Sequence, residues 1–422
     1  MGKYEPVSLV KCESYKYDTV RKALSESLSL IEGLSFVKPG MKVGIKTNLV
    51  SGLDPDRAAT THPMVLKCLC ELLLEKGASV VIGDSPGGLY TSGYVKGVYK
   101  AAGLLELESS FAEAAPDGSE SQEGNSGNAV QNAEPKVSLN WDFSVKNGEF
   151  PQALSIKNFV YTGWLDNVDA IINFSKLKTH AMMGMSCAVK NMFGTVPGTT
   201  KPEYHMRFPD ETAFANVMVD LNEFFKPVLY VVDAIDGMEG NGPSNGEKRH
   251  IGALLSSKRP YALDMVCADI IGFGIRDVMT LGVAANRGLG PEAVDEVEVV
   301  GNLPLEQAKI TDFKRATVHQ SITFEGGGWF NTIKSVGSKI AFSTKPMARN
   351  NECIGCKKCH DTCPAKAIAM VRGKNKNGAD GLIPQIDRSK CIKCFCCQEF
   401  CPVGAMKVHQ NVLGRMVTKL QR

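Results

Sequence analysis

Short apolar runs alternate along this chain with longer segments in which apolar residues return every three or four positions. Residues 6–11 (Pro-Val-Ser-Leu-Val-Lys) predict a strand, and residues 18–32 an amphipathic helix opened by Asp18 and stopped by Gly33. Residues 41–46 predict a second strand, which ends at the polar pair Thr47-Asn48. Pro63 opens and Gly77 closes a helix over 63–76, the usual placing of these two residues at helix ends. A short buried strand follows at 78–83, and Asp84-Ser85-Pro86-Gly87-Gly88 forms a turn. Strands are expected again at 168–174, 227–233 and 250–256, helices at 211–225 and 261–272, and further strands and turns over 295–325. This βαβ rhythm predicts an α/β fold: a mostly parallel sheet with flanking helices.

Two stretches break the rhythm. Residues 108–135 are acidic, rich in Gly and Ser, and nearly devoid of large apolar groups. Such a segment buries too little surface to offset its ordering entropy, so a disordered surface insertion is expected. Gly326-Gly327-Gly328 reads as a hinge or tight loop, and after Pro346 the chain turns basic and Cys-rich. The expected organisation is an α/β domain over 1–345, a small α+β module over 346–410 and a tail over 411–422.

A length of 422 residues agrees with two units, because it exceeds what one core usually serves. Usage is globular, with 43% hydrophobic and 22% charged residues, which excludes a mainly disordered chain, a coiled coil or a collagen-like fibre. No apolar run reaches the roughly 18 residues of a membrane span. The start, Met-Gly-Lys-Tyr-Glu-Pro, lacks a signal-peptide core, so a cytoplasmic location without a membrane partner is expected. The net charge of +3 hides a split: residues 345–422 carry fifteen Lys or Arg against five Asp or Glu, a net of +10. The rest of the chain carries 33 against 40, a net of −7. The basic part lacks interleaved aromatics, which argues against a nucleic-acid partner.

Nine of the fourteen cysteines lie between Cys353 and Cys401. Cys353, Cys356, Cys359 and Cys363-Pro364 have the spacing CxxCxxCxxxCP, and Cys391, Cys394, Cys397 and Cys401-Pro402 repeat it 38 residues later. Three cysteines at two-residue gaps wrap one face of an iron–sulfur cube, and the fourth serves the other cube. Two 4Fe-4S clusters are therefore expected, one on Cys353, Cys356, Cys359 and Cys401 and one on Cys391, Cys394, Cys397 and Cys363. Zinc would favour paired CxxC knuckles and leave the third Cys and the Cys-Pro unexplained. Disulfides would need an oxidising compartment. Cys396 is surplus and reads as a small buried residue beside a cluster.

The segment over about 346–410 resembles a bacterial-type two-cluster ferredoxin. It departs from that pattern where Lys357 and Phe395 replace the Gly that often follows the second Cys. The departure bears on backbone shape and cluster potential rather than on ligation. Eight thiolates and two oxidised cores of about 2+ each sum to about −4. The loaded module thus stays cationic. It suits docking on the acidic body of its own chain or on an acidic electron-donor or acceptor protein.

In the larger domain the most informative stretch follows the strand that ends in Asn173-Phe174-Ser175. It holds Lys176-Leu177-Lys178-Thr179-His180, then Ala188-Val189-Lys190-Asn191-Met192-Phe193-Gly194, Thr195-Val196-Pro197-Gly198 and His205. Polar groups at the carboxyl end of a parallel strand sit where open α/β sheets bind ligands. Lysines, an amide and a Gly-rich loop together receive anions. A solvated loop with one capping His is the plainer alternative, but apolar residues bracket each of these polar ones. The Lys-Leu-Lys-Thr-His and Val-Lys-Asn-Met-Phe-Gly-Thr-Val-Pro-Gly runs resemble the prokaryotic family called domain of unknown function 362. So do Lys46-Thr47-Asn48, Thr60-Thr61-His62-Pro63, Gly83-Asp84-Ser85-Pro86, Val232 through Gly240, and Ala262-Leu263-Asp264. The likeness covers about residues 5–290. It implies an iron–sulfur protein of unsettled activity, often with an appended ferredoxin segment.

Chemistry then suggests roles. His180, His205, Lys190 and Asp84 are candidates for catalysis, the histidines because they are poised near neutral pH. Lys176, Lys178, Asn191, Asn48 and Asp233 are candidates for binding a carboxylate or phosphate. Asp233 and Asp236 are expected just past a strand, in a Gly-rich turn. No Ser/His/Asp signature, P-loop or dinucleotide fingerprint is present. The leading expectation is an oxidoreductase that passes electrons through two clusters to a small anionic substrate. Two other readings stay open: a non-enzymatic carrier or adaptor that docks a partner reductase, and a mononuclear metal site at His62, His180 and His205.

Overall fold

The computed structural model describes residues 3–113, 136–198, 200–208, 210–316, 345–392 and 394–409. Its first strands are β1 (Val7–Lys11), β2 (Lys42–Lys46), β3 (Ser79–Gly83) and β4 (Val137–Leu139). A side hairpin, β5 (Val145–Glu149) and β6 (Asn158–Thr162), precedes β7 (Ala170–His180) and β8 (Gly184–Ser186). Then come β9 (Leu229–Glu239), β10 (Glu247–Ser257) and β11 (Val299–Val300). One sheet runs in the order β11-β1-β10-β9-β7-β2-β3-β4, with β8 beside β7. Neighbours from β9 across to β4 are parallel, as are β1 and β11. β10 is antiparallel to both β9 and β1, because a short loop rather than a crossover helix joins it to β9. The chain is thus α/β with a mostly parallel sheet.

Helices cover both faces. Tyr17–Leu30, Pro63–Leu74, Ser92–Ala101 and Leu104–Glu113 bury one side of the sheet around Val43, Ile45, Ile172 and Val231. Pro260–Ile270 packs on the other side against Leu9, Leu177, Val232 and Leu255, and Glu211–Phe225 lies beyond it. Pro63 opens its helix as expected, and His62 caps it by accepting the Met64 N–H on Nδ1 at 3.1 Å.

Three expectations change. β7 does not end at Ser175 but continues through Lys176–His180, because β8 and β9 pair with it there. Asp233 and Asp236 lie inside β9 rather than after it. Residues 108–113 of the expected insertion belong to the helix Leu104–Glu113, which buries Leu104 and Leu107. The remainder of that insertion, the Gly326-Gly327-Gly328 run and the 411–422 tail lie outside the described residues.

The Cys-rich module holds β12 (Lys345–Ala348), β13 (Ile368–Lys374), β14 (Asp380–Ile386) and β15 (Met406–His409), paired as β12–β15 and β13–β14. Its two short helices, Lys358–Asp361 and Cys396–Glu399, are each preceded by a residue in the left-handed region, Lys357 and Phe395, both at φ 60°. These are the two positions where Gly was missed. The backbone keeps the left-handed turn and the side chains bear a steric cost of about 1 kcal/mol each.

Candidate functional site

The chain repeat brings the eight motif cysteines into two groups of four. Cys353, Cys356, Cys359 and Cys401 line one small cavity, and Cys363, Cys391, Cys394 and Cys397 line another. The fourth cysteine of each motif therefore crosses to the other group, as the spacing requires. The cavities are walled by apolar residues such as Met370, Met406, Ile368 and Ile386. Backbone N–H groups point at three of the sulfurs: Gly355 at Cys353, Ala367 at Cys363 and Ala405 at Cys401, at 3.1–3.3 Å. Apolar walls and N–H donors to sulfur are the surroundings a 4Fe-4S cube needs. Each group can hold one cluster. Cys396 lines neither cavity; it is buried beside Cys394.

A second site lies at the carboxyl ends of β2, β3 and β7. Lys46 closes β2, Asp84 follows β3, and Lys178 stands on β7, around a cavity of about 60 Å³. The helix Ala188–Asn191 adds Lys190 and Asn191, and the helix Lys201–Arg207 adds Lys201 and His205. Asp264 fixes the first of these helices by accepting the N–H groups of Ala188 and Val189 at 2.8 and 3.0 Å. Burial pushes the Asp264 carboxyl up to about 6. Gly194 is required where it stands, since a Cβ there would lie 2.2 Å from Asp84 Oδ1 and 2.3 Å from Lys46 Nζ.

The lysines differ in how they are compensated. Lys46 Nζ sits 2.8 Å from Asp84 Oδ1 and also donates to Thr47 O and Asn191 Oδ1. Among the described residues Lys178 donates only to neutral acceptors, Asn48 Oδ1 at 2.7 Å and Ala59 O at 2.6 Å. Lys201 donates to Ser85 O, and Lys190 and Lys201 each lie 5.7 Å over the Phe193 ring. Among the described residues, none of Lys178, Lys190 and Lys201 is ion-paired; Glu399 acts on all three at longer range. Burial holds Lys178 well below the ordinary lysine range, lowers Lys190, and brings Lys201 down to about 8. Burial, with the Lys190 charge adding to it, lowers His205 to about 3, so its imidazole is neutral at pH 7. Its Nδ1 has no hydrogen-bond partner among the described residues. A cavity with three buried lysines and no ion pair to them among the described residues favours an anion, which would restore to their ammonium forms the stabilisation that burial removed.

Of the residues expected from sequence, Lys178, Lys190, Asn191, Asn48, Asp84 and His205 do converge here. Asn48 and Asn191 orient the lysines: Asn48 Nδ2 donates to Asn191 Oδ1, and Asn191 Nδ2 to Asn173 Oδ1. Lys176 and Asp233 do not line the cavity; they form a separate buried ion pair at 2.9 Å. His180 also lies apart, where its Nδ1 accepts the N–H groups of Met182 and Met183 and fixes the turn into β8. His62, His180 and His205 do not meet. Among the described residues no three His, Cys, Asp or Glu groups gather as ligands for a single ion, so the mononuclear reading has no ligand set.

Sequence reasoning missed Lys46, Ser85, Lys201, Glu399 and Phe400 as site residues. Lys46 and Ser85 stood within runs already singled out, but Glu399 and Phe400 come from the Cys-rich module and carry no local signal. The module reaches the cavity through the helix Cys396–Glu399. Gln398 Nε2 donates to Asn241 O at 3.0 Å, Asn245 Nδ2 to Gln398 O at 2.6 Å, and Ser244 Oγ to Glu399 O at 2.5 Å. The Phe400 ring packs against Gly87, where any Cβ would come within 1.8 Å of it. Five residues thus link three features: Cys397 lines one cysteine cavity, Glu399 and Phe400 wall the lysine cavity, and Cys401 lines the other cysteine cavity.

No helix among the described residues is long and apolar enough to cross a membrane. Comparison with known proteins finds two matches to family models: "Domain of unknown function (DUF362)" over residues 43–269 and "4Fe-4S dicluster domain" over residues 352–405. A thylakoid-associated protein of Synechocystis sp. is 30% identical over 292 residues, 68% of this chain and 81% of that protein. Among solved structures, the lactate racemase apoprotein from Thermoanaerobacterium thermosaccharolyticum aligns with 12% identity and a TM-score of 0.39, over 63% of this chain and 57% of that one. The chain belongs to the family named domain of unknown function 362, and it is an iron–sulfur protein whose dicluster domain carries two 4Fe-4S clusters.

Proposed function

We propose that this protein is an oxidoreductase that reduces or oxidises a small anionic substrate held in the lysine cavity. The clusters, held by Cys353, Cys356, Cys359 and Cys401 and by Cys391, Cys394, Cys397 and Cys363, supply one-electron transfer. The observation that carries this reading is the Cys397–Cys401 segment, which lines both cysteine cavities and contributes Glu399 and Phe400 to the wall of the lysine cavity. Lys178, Lys190 and Lys201 bind the anion, while Asn48 and the Lys46–Asp84 pair hold the wall in place. Lys201, lowered to about 8, is the group best placed to exchange a proton with the substrate near neutral pH, while neutral His205 offers a hydrogen-bonding ring nitrogen. Ile354, Ile392 and Val403, exposed beside the cluster cysteines, offer a contact face for a protein electron donor or acceptor.

The test uses anaerobic full-length protein with about eight iron and eight acid-labile sulfide per chain. Inorganic phosphate or acetate should perturb the electron paramagnetic resonance signal of the reduced clusters. Lys178→Met with Lys190→Met should abolish that response and leave iron and sulfide content intact. A response that survives in the double variant removes the cavity from the mechanism. A protein that exchanges electrons with a partner yet responds to no small anion is a carrier.

A further inference from the structure

The lysine cavity shares wall residues with a second space. A cleft of about 470 Å³ opens beside it, between the α/β body and the Cys-rich module. Its body side is Leu89, Tyr94, Pro202 and glycine backbone, and its module side is Lys358, Asp361, Thr362 and Phe400. Gly87 and Phe400 line both spaces, and the consecutive residues Lys201 and Pro202 line one each. The two spaces therefore meet at the Phe400 ring where it lies on Gly87.

The two parts differ in chemistry. The inner cavity holds, besides the Lys46–Asp84 pair and Glu399, three lysines that have no ion pair among the described residues, and His205 adds a ring nitrogen with no partner among the described residues, although the residue is only 6% exposed. The outer cleft is mainly apolar on its body side. Leu89 is 58% exposed and turns apolar surface to the cleft. Tyr94 keeps its hydroxyl occupied by donating to Gly87 O at 2.7 Å, so its ring is left to serve as wall. The volume of the cleft is that of a site for a molecule of moderate size, whereas the cavity admits only a small charged group.

We infer that the ligand is amphipathic: an anionic head in the lysine cavity, and an aromatic or aliphatic body in the outer cleft against Leu89, Tyr94, Pro202 and Phe400. This rests on the reading of the lysine cavity as the substrate site, and it adds the substrate class. The body then lies alongside the helix Lys358–Asp361, which carries Cys359 of one cysteine group. The cleft also exists only when the two units are docked, so the module completes the binding site as well as holding clusters.

Matched pairs of probes test this on the full-length, cluster-loaded protein by calorimetry: acetate against 3-phenylpropanoate, and inorganic phosphate against phenyl phosphate, with 3-phenylpropanol as a body lacking charge. In at least one pair the aryl member should bind tenfold or more tightly than the bare anion, and the alcohol should bind far more weakly than the acid. Leu89→Asp should erase most of the gain of the aryl member, and its exposure means the change does not disturb the core. If aryl and bare anions bind alike, and Lys178→Met abolishes both, the cleft is not a subsite and the inference fails while the cavity reading stands. If binding of either kind is unchanged by Lys178→Met and Lys190→Met, the cavity reading fails and takes this inference with it.

Discussion

Lys176 and Lys178 stand two residues apart on β7, on the same face of the sheet, and both are fully buried. Lys176 is closed off. It pairs with Asp233 at 2.9 Å and donates to Tyr15 Oη at 2.7 Å, while Tyr15 in turn donates to Asp233 Oδ1 at 3.0 Å. The His62 N–H takes the other Asp233 oxygen at 3.1 Å, and the His62 ring stacks on Tyr15 at 3.7 Å. Lys178 has the same burial and, among the described residues, no carboxylate partner, only the oxygens of Asn48 and Ala59. One lysine is neutralised inside the fold, and the other lines the cavity without an ion pair among the described residues. Residue type and burial do not separate these roles; the partner does.

The comparison breaks most sharply at Asp233. Asp233→Ala leaves the Lys176 ammonium buried and unpaired, and should cost about 3–5 kcal/mol of stability in chemical denaturation. Lys178→Met removes a buried amine that has no ion pair among the described residues. It should leave stability unchanged or higher while weakening anion binding by about a hundredfold or more, read by calorimetry. If both variants lose equal stability, the two lysines are not different in kind. The double variant Lys176→Met with Asp233→Leu should recover most of what Asp233→Ala loses, because two apolar groups replace the whole pair.

Smaller effects sharpen the picture. Lys201, lowered to about 8 by burial, is charged below that pH and neutral above it. Anion affinity should therefore hold at neutral pH and fall as pH rises, by roughly tenfold per unit once past the midpoint if one proton is linked. A bound anion favours the ammonium, so the midpoint in the complex lies above the value of the free protein. Lys201→Met should flatten that profile; a profile that stays steep assigns the proton to another group. His62→Ala should cost about 1 kcal/mol for the lost helix cap, with no change in anion binding, since His62 belongs to the closed network.

Much of the molecule could be read from local patterns. The spacing of eight cysteines encodes two four-sulfur groups, because three ligands of each lie within seven residues and need little from the rest of the fold. The alternation of strands and helices gave the sheet class for the same reason: burial of one stripe or one face leaves a period in the sequence. The ends of β7 and β9 were misjudged because polar residues there, Lys176, Lys178 and Asp233, meet partners from distant segments that make a strand interior tolerable. The left-handed turns at Lys357 and Phe395 were likewise imposed by the module as a whole, since neither residue favours them.

The sequence alone determined which residues cage the sulfurs and that lysines gather near one stretch of sheet, since both follow from spacing along the chain. Only the tertiary structure decided which lysine is neutralised, which histidine enters the cavity, and that Glu399 and Phe400 close it from the other unit. Those outcomes depend on contacts between residues as much as about 310 positions apart, and the energy of a buried charge is set by what lies within a few ångströms in space rather than along the chain.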